Sequence, residues 1–147
     1  MFEEITYAAW GDMDFNSHMG NSAYLDKAGD VRMRFFAANE FPMQEFMRLK
    51  IGPVVMKDEI EYFREVKLLE ELRVSLSMAG LSPDGSRFLM RNEFWRTDGK
   101  LAARITSAGG WLDLSRRGLT EPPEALLNAL RSLSQTDDFQ SLPSSIR

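Results

Sequence analysis

The sequence contains no cysteine and only one histidine in 147 residues. The absence of cysteine excludes a disulfide framework, cysteine-ligated zinc or iron–sulfur centres, and a catalytic thiol. A single histidine also argues against a histidine-rich metal centre. We therefore expect neither a metal nor a redox cofactor.

Long apolar runs and basic stripes are missing as well. No apolar run approaches the roughly 20 residues that a membrane-spanning helix needs. The first residues, Met-Phe-Glu-Glu-Ile-Thr, lack the basic and apolar segments of a secretory signal. The net charge of −4 argues against nucleic-acid binding as the main function. These features predict a cytoplasmic protein without a membrane span and without a nucleic-acid partner.

Hydrophobic periodicity predicts one long helix in the first third of the chain. Tyr24, Ala28, Val31 and Phe35 recur at helical spacing, which indicates a helix from Asn21 to about residue 38. Asn21 or Ser22 is the expected N-cap, and Asn39 is the expected stop. Gly29 lies within the helix at a cost of roughly 1 kcal/mol against alanine, so we expect close packing at Gly29.

Alternation and turn signals predict that the rest of the chain is mostly strands. Strands are expected at residues 2–9, 53–63, 71–79, 87–97 and 101–113, with short helices at 41–49 and after Pro122-Pro123. One strand, a long helix and then a meander favour an α+β fold in which an antiparallel sheet wraps around the helix. We expect a single domain over residues 1–133, a polar and flexible tail over 134–147, and self-association to cover the second sheet face.

A polar cluster precedes the long helix. Asp14, Asn16 and His18 alternate within five residues, directly before the predicted helix start. A carboxylate can attack a thioester carbonyl or take a proton from water, and an amide and an imidazole can position that water. The N–H groups at the helix start can polarise the carbonyl oxygen. The residues alone leave open a simple turn or cap role for Asp14.

The run from Gly11 to Tyr24 resembles the signature of hotdog-fold thioesterases. More specifically, it resembles the 4-hydroxybenzoyl-CoA thioesterase-like family of acyl-CoA and acyl-ACP thioesterases, whose motif reads roughly D-x-D-x-x-G-H-V-N-N-x-x-Y. Both Asp positions, the His, the second Asn and the Tyr match. Later pieces at residues 59–62 and 94–100 also fit, so the resemblance spans about residues 3–130.

The resemblance implies a fold, an activity and roles for named residues. It implies a hotdog fold, with two protomers joining their sheets into a homodimer or homotetramer and active sites at the dimer interface. Asp14 becomes the catalytic general base or nucleophile, and Asn16 and His18 complete the D-x-N-x-H pattern of plant acyl-ACP thioesterases. The backbone N–H groups of Asn21 and Ser22 form the oxyanion site. The resemblance also implies that the substrate is a thioester of coenzyme A or acyl carrier protein. The coenzyme A or phosphopantetheine is then part of the substrate, and no separate cofactor is expected.

The chain departs from the family motif at three positions. Ser17 replaces the motif glycine, Gly20 replaces the first Asn of the pair, and Gly29 replaces a glutamate often found in the helix. Arg32 matches a common helix arginine, which we expect to be structural. We expect Asp12 to hold the loop and Tyr24 to form core or a wall of the acyl site. Which of Arg64, Arg87, Arg91 and Arg104 meets the substrate's phosphates stays open.

Two other functions remain compatible with the sequence. A non-catalytic hotdog protein that binds acyl-CoA or acyl chains would keep Asp14 only as a turn residue. The second alternative is a scaffold protein whose function is its dimer interface. The intact D-x-N-x-H run favours the hydrolase, because a binder has no need for a carboxylate, an amide and an imidazole in register.

Overall fold

The computed structural model describes residues 1–146 and has the predicted order of a strand, a long helix and a strand-rich remainder. Its elements are β1 (Phe2–Tyr7), a 3-10 helix (Trp10–Asp12), α1 (Asn21–Ala38), α2 (Met43–Leu49), β2 (Ile51–Tyr62), β3 (Glu71–Leu81), β4 (Arg87–Arg96), β5 (Leu101–Asp113), β6 (Gly118–Thr120), α3 (Glu124–Ser132) and β7 (Gln135–Ser141).

The strands form one sheet in the order β1-β3-β4-β5-β2, with antiparallel neighbours throughout this path. The short β6 pairs with β5, and β7 pairs with β3 in parallel. β3, β4 and β5 follow one another as the predicted meander. β2 lies at the edge of the sheet that residues 1–146 form, so one side of its backbone is open to pairing with a further strand.

α1 packs its apolar stripe against the sheet. Its buried residues are Ala23, Tyr24, Ala28, Val31, Phe35 and Phe36. Trp111 on β5 is fully buried, stacks on Phe46 of α2 and meets Phe36 edge-on. Its indole Nε1 donates a 2.9 Å hydrogen bond to the Gly85 carbonyl, so this large side chain is buried without an unpaired donor. The α+β hotdog fold, a long helix against an antiparallel sheet, is confirmed.

The C-terminal segment differs from the predicted flexible tail. β7 pairs with β3 at Met78, Gly80 and Leu81, beyond the reach of β1, whose pairing ends at Leu76. Arg91 donates two hydrogen bonds, of 2.9 and 3.1 Å, to the carboxylate of Asp138. Phe139 packs against the core. Polar composition suggested fraying, but the exposed edge of β3 supplies backbone partners that composition does not reveal.

Truncation after Leu133 is therefore expected to destabilise the protein. It removes the β7 ladder, the Arg91–Asp138 pair and the hydrogen bonds of Ser144 and Ser145 to the β3–β4 turn. We expect a loss on the order of 2 kcal/mol, or roughly 5 °C in Tm, by circular dichroism. Removing only residues 146–147 is the control. An unchanged Tm after the long truncation would contradict the structural role of β7.

Gly29 also differs from expectation. A Cβ built on Gly29 would meet only Nη2 of Arg32, at 3.8 Å, which is ordinary contact. The glycine therefore leaves space beside the helix and is not required by close packing. None of the helices within residues 1–146 combines the length and the apolar character that a bilayer crossing demands.

Candidate active site

A tight loop carries the polar cluster to the start of α1. Asp14 N–H donates to the His18 carbonyl at 2.9 Å, and Ser17 N–H donates to the Asp14 carbonyl at 3.2 Å. Met13 and Met19 pair across the base of the loop. Met19 N–H also donates to the Val66 carbonyl at 2.8 Å, which ties the loop to the segment after β2. The loop thus holds Asp14 and His18 side by side.

Ser17 adopts the left-handed backbone conformation, with φ of 64°. This region favours glycine because a Cβ crowds the backbone there. Glycine would therefore suit this position, and serine adopts the left-handed conformation at a cost.

Replacing Ser17 with glycine is expected to stabilise the protein by about 1 kcal/mol, raising Tm by about 2–4 °C. Thermal unfolding followed by circular dichroism measures the change. Ser22→Gly, in the first turn of α1, is the control and should lower Tm because glycine is a poor helix former. A fall in Tm for Ser17→Gly would show that the strain is absent.

Asp14 is held by the loop backbone and faces the histidine. Its Oδ1 accepts hydrogen bonds from the backbone N–H of Asn16 at 2.9 Å and of His18 at 3.4 Å. Its Oδ2 lies 3.3 Å from His18 Nδ1. Both side chains are about one third exposed (33% and 30%), so solvent and substrate can reach them. A carboxylate fixed in this way needs little reorganisation to act on a bound group.

Asp12 stabilises the loop through contacts with Ala9 and Lys27. Its Oδ2 accepts a 2.8 Å hydrogen bond from the Ala9 N–H and pairs with Lys27 Nζ at 2.9 Å. Burial raises the pKa of Asp12, but the bonds from Lys27 and Ala9 outweigh it and hold the pKa below its usual value. The Asp12 carbonyl also accepts from the Gly20 N–H at 2.9 Å. These contacts match the loop-holding role predicted for Asp12.

The start of α1 differs from the predicted cap. Gly20 is the N-cap and Asn21 is the first helical residue, with no side-chain cap bond. A capping side chain would occupy N–H groups of the first turn; here the N–H groups of Asn21 and Ser22 have no acceptor within residues 1–146. A Cβ at Gly20 would lie 3.3 Å from the Asp14 Cβ, so glycine lets the helix start approach the carboxylate.

The loop that carries Asp14 and the first turn of α1 line one cavity of about 350 Å³, a volume within the range of small-molecule sites. Predicted site residues Asp14, His18, Asn21 and Tyr24 all border it. Burial raises the pKa of Tyr24 to about 12, with Tyr62, Glu70 and Asp14 adding to the effect. The phenol therefore stays neutral at physiological pH, and its ring packs edge-on against Tyr62 and Phe94 as core and cavity wall.

Two predicted site residues do not reach the cavity with their side chains. Asn16 is exposed and contributes its backbone N–H to Asp14, and Ser22 is exposed in the first turn. Conversely, the segment after β2 brings residues that spacing did not select. Phe63, Arg64 and Glu65 border the cavity beside Tyr62. Among residues 1–146 no three His, Asp or Glu side chains gather as metal ligands.

A family model described as the thioesterase-like superfamily matches residues 8–130. Among solved structures, protein SAV2348 of Staphylococcus aureus, determined in complex with CoA, is 18% identical with a TM-score of 0.81, over 99% of this chain and 88% of that one. Slr0204, a 1,4-dihydroxy-2-naphthoyl-CoA thioesterase from Synechocystis, is 16% identical with a TM-score of 0.79, over 90% and 96%.

The gentisyl-coenzyme A thioesterase BH1999 is also similar, with 16% identity, a TM-score of 0.77, and coverage of 87% of this chain and 98% of that one. At these identities the likenesses show the fold. No curated protein matches this sequence significantly. The family match covers the cavity, the polar loop and the whole of α1.

Proposed function

This chain belongs to the thioesterase-like superfamily, and from its site geometry we propose that it hydrolyses acyl thioesters of coenzyme A or acyl carrier protein. One observation carries the proposal. A backbone-fixed carboxylate, Asp14, borders the same cavity as Asn21, the first residue of α1, and the N–H groups of Asn21 and of the adjacent Ser22 have no acceptor within residues 1–146. A base or nucleophile beside an oxyanion site is the arrangement that acyl transfer requires.

The first chemical step takes place at the thioester carbonyl. With its oxygen at the N–H groups of Asn21 and Ser22, the carbonyl carbon faces Asp14. As a general base, Asp14 takes a proton from a water molecule while the water oxygen bonds to that carbon. The helix N–H groups and the helix dipole stabilise the resulting oxyanion.

Collapse of this intermediate breaks the carbon–sulfur bond. The thiolate leaves, takes up the proton held by Asp14, and departs with its carrier, while the acyl group leaves as a carboxylic acid. Asp14 acting as a nucleophile is the alternative: its oxygen bonds to the carbonyl carbon, thiolate leaves, and water then hydrolyses the mixed anhydride. In both cases His18 orients the carboxylate or the water through its 3.3 Å contact with Oδ2.

The cavity also offers sites for the two ends of the substrate. Tyr24 and Tyr62 form an aromatic wall suited to an acyl group. Arg64 stands at the cavity border and has no ion-pair partner within the described residues. Its guanidinium suits a phosphate of coenzyme A or phosphopantetheine. The carrier is part of the substrate, and the proposed chemistry needs no separate cofactor.

We expect the working unit to be a homodimer or a dimer of dimers. β2 is a 12-residue edge strand that carries the exposed apolar side chains Val55 and Met56. A long exposed edge strand is a ready template for pairing with a second copy. Phe15, beside Asp14 at the tip of the loop, is also fully exposed. Pairing of two β2 strands would cover apolar surface next to the site.

The test measures thiol release from aromatic, short-, medium- and long-chain acyl-CoAs, detected with a disulfide reagent. The absence of cysteine in the protein gives a clean background. Turnover of at least one ester supports the hydrolase, and the preferred acyl chain indicates the size of the acyl site. If neither these esters nor the corresponding acyl carrier protein esters are cleaved, although they bind, the chain is an acyl-binding protein.

A further inference from the structure

A second cavity, of about 170 Å³, lies between α1 and the sheet. This volume is below the roughly 300–1,000 Å³ of whole-ligand sites, so the cavity suits one end of a ligand. Its lining is mostly apolar and comes from α1, β2 and β4: Met33, Phe36, Pro53, Val55, Phe88 and Met90. Gly29 and Arg32 complete it, and the missing side chain at Gly29 leaves the space open beside the guanidinium.

Arg32 is anchored on one side only. Its Nη1 donates to Asn92 Oδ1 at 3.3 Å and to Ser107 Oγ at 3.4 Å, and both partners are fully buried. Within residues 1–146 its Nε and Nη2 make no hydrogen bond, and no carboxylate lies within ion-pair distance. Asp58 is connected to Arg32 through Ser107, whose Oγ donates a hydrogen bond to Asp58 Oδ1 at 2.6 Å.

The unused edge of this guanidinium has the geometry of a carboxylate receptor. The Nε–H and Nη2–H bonds point the same way and can be bridged by the two oxygens of one carboxylate. Burial lowers the pKa of Arg32, opposed by Asp58, which reflects the cost of holding a cation among apolar side chains. An anion entering the cavity would offset that cost.

The two cavities border opposite ends of β2. Tyr62 borders the Asp14 cavity, whereas Pro53 and Val55 border the Arg32 cavity. If two β2 strands pair antiparallel about a two-fold axis near the strand middle, the beginning of one lies beside the end of the other. The Arg32 cavity of one protomer then adjoins the Asp14 cavity of its partner.

We propose that the Arg32 cavity binds a carboxylate at the far end of the acyl group, so that the preferred substrates are thioesters of dicarboxylic acids. This specificity rests on the proposed thioesterase function. Arg32 is the recognising cation, and Gly29 provides the room. The apolar lining accommodates the last methylene groups before the carboxylate.

The test compares matched acyl-CoAs that differ only at the acyl terminus: adipoyl-CoA with hexanoyl-CoA, and suberoyl-CoA with octanoyl-CoA. Binding is measured by titration calorimetry on the Asp14→Asn protein, so that no turnover is required. We expect the carboxyl-ended ester of at least one pair to bind about tenfold tighter or more. Equal Kd values in both pairs, or no binding of any ester, would overturn the proposal.

Second substitutions in the Asp14→Asn protein test whether Arg32 causes the preference for carboxyl-ended esters. Arg32→Met should bring the ratio of Kd values close to one, and Arg34→Met, which removes an exposed arginine from the same helix, should leave it unchanged. A ratio that survives Arg32→Met would overturn the proposal.

Gly29→Glu keeps the test valid if Arg32→Met does not fold. The new carboxylate is placed beside Nη2, since the Cβ built at this position lies 3.8 Å from it, and it should abolish the preference. Gly29→Gln introduces a side chain of similar size without the charge. It should weaken the binding of both esters and preserve the ratio of their Kd values. Equal ratios in the Glu and Gln variants would contradict a charge-based subsite.

The outcomes separate this subsite from the proposed function. If the wild type hydrolyses both esters and the Asp14→Asn protein binds them with equal Kd values, the carboxylate subsite is excluded and the proposed thioesterase function is supported. A clear binding preference without hydrolysis of any ester supports the subsite and removes the proposed catalysis.

Discussion

Asp14→Asn is expected to lower kcat/KM for acyl-CoA hydrolysis by about 1,000-fold while leaving Tm nearly unchanged. Asparagine has almost the same shape and can still accept the hydrogen bonds that Asn16 and His18 donate to Oδ1. It is neither a base nor a competent nucleophile, so the loss falls on the chemical step. Rates come from the thiol assay, and Kd for the ester comes from calorimetry.

Asp26→Asn is the matched control, because it removes an exposed carboxylate on α1 that does not border the cavity. It should retain wild-type kinetics. The prediction requires kcat to fall with little change in Kd. An Asp14→Asn protein that retains more than about one tenth of wild-type kcat would exclude Asp14 as base or nucleophile.

Met56→Asp is expected to convert the protein to a monomer and to abolish most activity. Met56 lies at the middle of β2, is 57% exposed, and sits at a bulge where β5 offers it no partner. Its replacement therefore leaves the β2–β5 ladder intact. In a two-fold dimer the new charges face each other, and such repulsion costs several kcal/mol, so the dimer Kd should rise by about 100-fold or more.

Sedimentation velocity and the thiol assay follow this substitution together. Ile5→Asp on β1, at the opposite side of the sheet, is the control because Ile5 is similarly exposed (59%). It should stay dimeric and active. A fully active Met56→Asp monomer would show that the site is complete within one chain, and a Met56→Asp dimer would place the interface elsewhere.

Local sequence signals predicted most of the fold. The bounds of α1 and its end at Asn39 agree with the spacing of its apolar residues and with the stop signal, because both signals lie within the helix sequence and its immediate flank. The strand-rich half agrees because alternation and tight turns are encoded locally. The sequence did not predict β7, because the pairing of β7 with β3 depends on an edge that the short β1 leaves open, which is a property of the assembled sheet.

The candidate site could be predicted only in part, because only some of its residues are close together in the sequence. Asp14, His18, Asn21 and Tyr24 lie close together in the chain, so a motif could identify them before they met at one cavity. Arg64 comes from a segment about 50 residues downstream of Asp14, and nothing in its local sequence separates it from other arginines. The Gly29–Arg32 cavity depends on which strands face that turn of α1, which spacing alone does not give.

The most direct test of thioester hydrolysis at Asp14 is turnover in water enriched in oxygen-18, with products followed by mass spectrometry. We expect the wild-type protein to convert acyl-CoA into equal amounts of free thiol and carboxylic acid. One oxygen-18 enters the acid under steady-state turnover, and the Asp14→Asn protein forms almost no product. Acyl-CoA that is bound and recovered intact from the wild type, or turnover that persists in Asp14→Asn, would contradict this expectation.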